Sequence, residues 1–345
     1  SSTTGVNSTP NEKAGGSGAA YVFVRSGMTW SQQAYLKASN VGVRYKFGIA
    51  VAVSGNTVVI GAPGEASNTT GVNSTPNELA GSSGAAYVFA RSGGVWSQQA
   101  YLKAGNTGPG DYFGHSIAVS GDTVVVGAPE EDSNSAGVNS TPNEDAEGSG
   151  AAYVFVRNGG LWSQQAYLKA SNPGARTGGF PGDEFGISVA ASGDTLVVGS
   201  YWEDSSTTGV NSTPNESAKD SGAAYVFVRS GGLWSQQAYL KASNPGPGAI
   251  NGSWRGDEFG TSVSVSGDTV VIGTPWEDSS TTGVNSMPNE DAKESGAIYV
   301  FVRSGNTWSQ QAYLNTSQAH SPGREDRFGS SVAVSGDTVV VGAPR

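Results

Sequence analysis

Adjacent carboxylates recur at Glu131-Asp132, Glu203-Asp204 and Glu277-Asp278, separated by 72 and 74 residues. Asn139, Asn211 and Asn285 lie close behind and could add amide or backbone oxygens. Calcium takes hard oxygen ligands of this kind, so each pair is a candidate calcium site, with solvated acidic loop residues as the plainer reading. An earlier counterpart, Glu65-Ala66, lacks the Asp. A second acidic set, Asp111, Asp183, Asp257 and Asp326, stands two residues before a Phe, with Tyr45 in the first such place. An Asp there can close an Asx-type turn on backbone N–H groups. Alternatively, these carboxylates could ring one mouth of a channel and attract a cation.

Aromatic residues divide into two groups. Trp30, Trp96, Trp162, Trp234 and Trp308 share one repeated position and read as core between repeats. Trp202 and Trp276 precede the Glu-Asp pairs, and Trp254 stands beside Arg255. Exposed Trp near charge suits stacking on sugar rings or anchoring a protein partner; local packing of loop tips is the alternative. Catalytic combinations are thin. The chain has no Cys and two His, His115 and His320. His115 follows a Phe-Gly where other repeats carry Ile49, Ile187, Thr261 and Ser330, which suits a strand His better than a catalytic one. Regular repetition of the carboxylates fits structure better than acid–base work. No enzyme is expected.

These residues need a scaffold, and the scaffold repeats. A block opening on Gly-Ala-Ala-Tyr-Val-Phe-Val-Arg and closing on a Val-rich strand with Gly-Ala-Pro recurs five times. Its Phe-Gly landmark falls at Phe47, Phe113, Phe185, Phe259 and Phe328. Such a period, made of short β segments, signals a repeat architecture. Ala223–Arg229 is β-branched and aromatic, and Trp234–Ala242 alternates; Ser262–Ser266 and Thr269–Gly273 flank a Gly267-Asp268 hairpin turn. The chain is therefore all-β, with four antiparallel strands per repeat. Such units bury both faces by packing radially, which gives a five-bladed β-propeller in one domain, residues 1–345. Residues 1–38 and 328–345 would share a composite blade that closes the ring and leaves no edge.

Both tight turns of each repeat fall at one end of the sheet and both long loops at the other. The loop after Gly-Ala-Pro keeps 20 residues (64–83, 130–149, 202–221, 276–295) and reads as a packed excursion. The loop before Phe-Gly varies, with 9 residues after Lys103, 15 after Lys169 and 17 after Lys241, and is where specificity is expected. Asn-Ser-Thr sequons at Asn7, Asn73, Asn139 and Asn211 could be glycosylated in a eukaryotic secreted protein.

A net charge of -10 argues against nucleic-acid partners, and no apolar stretch approaches the roughly 20 residues that span a bilayer. The chain starts at Ser1 without a charged-then-apolar leader, so either a targeting segment has been removed or the chain is excised from a longer one.

Phe-Gly, an alternating strand, a hairpin and Val-Val-Val-Gly-Ala-Pro at 124–129 and 339–344 resemble the FG-GAP repeat of integrin alpha-chain propellers and bacterial secreted proteins. That resemblance implies a secreted or cell-surface adhesion module that binds a protein or glycan of a cell surface or matrix through its long-loop face, with calcium as a possible aid. Its rival is a structural subunit of a surface assembly or filament formed by self-assembly. The family's calcium loop is not carried over, because the matching turns are collapsed to Ser-Gly-Asp-Thr, as at Ser120–Thr123. Integrin-type rings usually have seven blades, so five opens the case of a fragment.

Overall fold

The computed structural model describes residues 1–11, 13–175, 182–246, 256–316 and 325–344. Trp254, Arg255 and His320 lie outside them. Two compact units are formed: Ser1–Glu131 with Tyr153–Tyr167, and Asp132–Ala152 with Leu168–Arg345.

In the first unit, β1 (Ala20–Ser26) and β2 (Thr29–Leu36) pair as a two-stranded sheet. A four-stranded sheet follows: β3 (Val51–Ser54), β4 (Thr57–Ala62), β5 (Ala85–Ser92) and β6 (Val95–Leu102). The next repeats that order with β7 (Ser116–Ser120), β8 (Thr123–Ala128), β9 (Ala151–Asn158) and β10 (Leu161–Leu168), of which Ala151, Ala152 and Leu168 belong to the second unit. The second unit holds β11 (Ser188–Ser192), β12 (Thr195–Ser200), β13 (Gly209–Val210), β14 (Ala223–Ser230) and β15 (Leu233–Lys241) in one sheet. β16 (Ser262–Ser266), β17 (Thr269–Thr274), β18 (Ala297–Ser304) and β19 (Thr307–Leu314) form another, and β20 (Ser331–Ser335) pairs with β21 (Thr338–Gly342). Each sheet is antiparallel, as the alternating patterns predict.

Strand β4 is buried at every position and β5 at its first five, so both faces of the sheet are covered. Phe47 packs edge-on against Tyr87 and Phe89 at 5.4 and 6.2 Å, the geometry that favours aromatic pairs. The Gly of Ser-Gly-Ala lets the Phe-Gly backbone come close: a Cβ on Gly84 would stand 2.0 Å from Phe113 O.

One expectation needs correction. The alternation read through Trp234–Ala242 is broken by a β-bulge. Val226 pairs with Ala238 but Phe227 with Gln236, leaving Gln237 as the extra residue. The equivalent bulges leave out Gln33 and Gln99. Each extra Gln accepts from the Trp of the following sheet: Trp96 Nε1 to Gln33 at 2.7 Å, Trp162 to Gln99 at 2.8 Å, Trp308 to Gln237 at 2.7 Å. The repeated Trp is thus core between sheets, with Trp30, 65% exposed on β2, as the exception. β1–β2 and β20–β21 each form a two-stranded sheet.

Candidate functional site

The Glu of each Glu-Asp pair follows the strand that ends near Gly-Ala-Pro, and it turns inward. In the sheet β3–β6, Glu65 is fully buried and pairs with Lys103 Nζ at 3.0 Å. That ammonium also donates to Ser83 Oγ at 2.8 Å and Gly84 O at 2.6 Å. In the sheet β11–β15, Glu203 meets Lys241 at 2.7 Å, with Ser221 Oγ at 2.8 Å and Gly222 O at 2.5 Å completing the cradle. Lys169 repeats the contacts to Ser149 Oγ and Gly150 O.

The other carboxylate oxygen ties in the tyrosines. Tyr101 OH donates to Glu65 Oε1 at 3.0 Å, Tyr167 to Glu131 at 2.8 Å and Tyr239 to Glu203 at 2.7 Å. Asn40, Asn106 and Asn172 donate to the same oxygens at 2.8, 2.8 and 2.9 Å and accept from Tyr87, Tyr153 and Tyr225. Burial is the leading cause that drives Tyr87, Tyr153 and Tyr225 well above the usual phenol range, so these hydroxyls stay protonated donors. A buried charge is tolerated only when paired and hydrogen-bonded, and each knot meets that condition. These glutamates are structural anchors of the long loop.

The Asp of each pair does something else. Asp132, Asp204 and Asp278 accept from Gly148 N, Asp220 N and Glu294 N at 2.8, 2.8 and 2.7 Å, each 16 residues on, and so close the base of the 20-residue loop. The loop is pinned further by its sequon Asn: Asn73 and Asn211 adopt positive φ and accept from Tyr101 N and Tyr239 N at 2.9 Å. The fixed length read from sequence has this cause.

The Asp before Phe is buried at Asp111, Asp183 and Asp257. Asp111 accepts from Gly108 N at 2.7 Å and Asp183 from Gly174 N at 2.8 Å, which is the turn-closing alternative. Asp326 is half-buried. No group of three or more His, Cys, Asp or Glu that could hold a metal ion occurs among the described residues. His115 is exposed.

Trp202 and Trp276 are half-buried at the start of equivalent loops. Trp202 stacks on Tyr201, centroids 4.5 Å apart. Trp276 lies under the Arg327 guanidinium, 3.9 Å from its centroid, and Arg327 also pairs with Glu294 at 2.9 Å and Glu325 at 3.3 Å. What the sequence reading missed is the repeated Lys: it ends a half-polar strand and looks solvated until its partner Glu is placed beside it.

A profile of the FG-GAP repeat matches residues 30–89, 96–155, 162–227, 234–301 and 308–345. The chain belongs to the FG-GAP repeat family. Each of the first four FG-GAP matches begins at the Trp of one sheet and ends on an inner strand of the next, so the family unit spans two consecutive sheets. FG-GAP repeats are found in adhesion-type, integrin-like domains. No curated protein matches the chain.

Proposed function

We propose that this FG-GAP array is a non-enzymatic adhesion module, secreted or displayed at a cell surface, which grips a protein or glycan through its long-loop end. One observation carries the reading: Trp202 and Trp276 recur at the same loop position, partly exposed, each with one face held by a neighbour. A pre-held indole loses little entropy on binding and offers a flat apolar surface, as recognition hot spots do. Calcium is not needed at Glu65 or Glu203, because a Lys already supplies their cation. Glycan-array and surface-binding assays on the protein, against Trp202→Ala and Trp276→Ala, test it. Loss of binding in either variant is expected; unchanged binding in both would refute the reading.

The array is proposed to become a closed five-bladed propeller when β21 pairs with β1. Tyr21 and Phe23 are 57% and 55% exposed on β1, whereas Tyr87 and Phe89 at the same places on β5 are fully buried. An open groove of about 490 Å³ runs past Tyr21, Phe23, Val51 and Val53. Following the β4–β5 register, in which Val59 faces Val88, Val340 would face Val22. The same open edges support the structural reading, in which β21 of one copy pairs with β1 of the next and builds a filament. Val22→Cys with Val340→Cys in this Cys-free chain separates them. A cross-linked monomer supports the ring, and a covalent ladder supports the filament.

A further inference from the structure

On β19 the repeated Lys is replaced. Asn315 follows Leu314 where Lys37, Lys103, Lys169 and Lys241 follow Leu36, Leu102, Leu168 and Leu240. The groups that grip the ammonium elsewhere are kept. Glu277 Oε2 accepts from Ser279 N at 3.0 Å, as Glu203 Oε2 does from Ser205 N at 3.1 Å. Glu277 Oε1 accepts from Tyr313 and Asn244, both at 3.1 Å, as Glu203 Oε1 does from Tyr239 and Asn172. Ser295 Oγ donates to Ser279 O at 2.7 Å and Glu277 O at 3.1 Å, and Ser221 Oγ makes the same two bonds at 2.8 and 3.2 Å. Gly296 N donates to Glu277 O at 2.9 Å, as Gly222 N does to Glu203 O at 2.8 Å, so the peptide bearing the third cradle oxygen is anchored alike. Asn315 Nδ2 donates to Ser279 O at 3.2 Å and Tyr313 OH at 3.4 Å and brings no charge.

We propose that an inorganic monovalent cation of ammonium's size, potassium or ammonium itself, occupies in the sheet β16–β19 the place that Lys Nζ occupies in its neighbours, held by Glu277 Oε2, Ser295 Oγ and Gly296 O. A second observation points the same way. Asp257 is 4% exposed, and its Oδ2 is buried with no hydrogen-bond partner among the described residues. Glu277 is the charge that acts on it most strongly; Glu290 and Asp278 follow, against Lys241 as the opposing cation. Asp183 in the sheet β11–β15 stands under the matching carboxylates Glu203, Asp204 and Glu216, but it accepts from Gly174 N and its sheet keeps Lys241.

The charge count selects a single positive charge. Burial pushes the Asp257 carboxyl well above the usual carboxylate range, and Glu277 is the one carboxylate in the cradle, as Glu203 is beside Lys241. Distance selects the size. The corresponding oxygens lie 2.7, 2.8 and 2.5 Å from Lys241 Nζ, whereas calcium seeks six to eight oxygens at about 2.3–2.6 Å. The inference is independent of the ligand reading above.

The test is thermal unfolding of the whole chain at constant ionic strength, exchanging choline chloride for potassium or ammonium chloride after chelation of divalent ions. The protein should show a saturable rise in midpoint. Asn315→Lys should have a raised midpoint in choline alone and lose the response, because its own ammonium fills the cradle. Asn315→Met, which fills the space without charge, should also lose the response and serves if the Lys variant fails to fold. A wild-type midpoint indifferent to potassium and ammonium, or a variant that responds as wild type does, overturns the proposal. A response to calcium alone overturns the assigned ion.

Discussion

The sheets β11–β15 and β16–β19 share register, bulge, aromatic packing and loop anchors, yet one carries Lys241 beside Glu203 and the other Asn315 beside Glu277. One closes its electrostatics internally. The other leaves a buried carboxylate without its Lys. The β1–β2 sheet is the mirror case: Lys37 is buried against Ser17 Oγ at 2.9 Å and Gly18 O, with no carboxylate partner among the described residues. Burial lowers its pKa. A repeat is thus a modular backbone on which the buried charge pair can be dismantled from either side without changing the strand pattern.

The largest expected contrast comes from removing the internal cation. Lys241→Met strands Glu203 and should cost about 3–5 kcal/mol, the usual penalty for breaking a buried pair. Asn315→Met in the neighbouring sheet, measured in choline without potassium or ammonium, removes no charge and should cost about 1 kcal/mol or less. Urea denaturation of both measures the difference, and equal losses would break the comparison.

The next effect is on pH. Burial is the leading cause that pushes Glu277 up to about 7 from 4.5. Its folded pKa lies above its unfolded one, so its contribution to stability is full below pH 4.5 and is lost as pH rises through 7. The loss is on the order of 3 kcal/mol. Asp257, Asp278 and Glu290 are raised as well and act in the same sense. Glu277→Gln should therefore flatten the stability–pH curve between those limits by one proton's worth, and an unchanged slope would contradict the assignment.

A smaller contrast lies in the hydroxyls. Tyr239→Phe removes a 2.7 Å bond to Glu203, and Tyr313→Phe a 3.1 Å bond to Glu277. Bonds to charged acceptors contribute about 1.5–3 kcal/mol and neutral ones about 1. The Tyr239 loss should be the greater at pH 6, where Glu277 is mostly protonated, and the gap should narrow at pH 8. Smallest is Gln99→Ala, about 1 kcal/mol for the Trp162 bond at the bulge, measured by the same denaturation.

Much of this protein was legible in its residues. Period, strand count, hairpin turns and family followed from local signals: Gly at tight turns, Val-rich runs, and a Phe-Gly beside a glycine that no side chain could replace. Those signals work within a few residues, where backbone sterics and side-chain alternation act. The functions of the polar residues did not follow, because they depend on partners far along the chain. Lys103 finds Glu65 across 38 residues, and Trp96 finds Gln33 across 63. Only folding puts them together, and only the loss of water around them turns an ordinary Lys or Glu into an anchor. The two open half-sheets are likewise a tertiary result, since a strand's sequence states that it pairs but not which edge it meets. Sequence set the unit; packing decided which of its charges are satisfied.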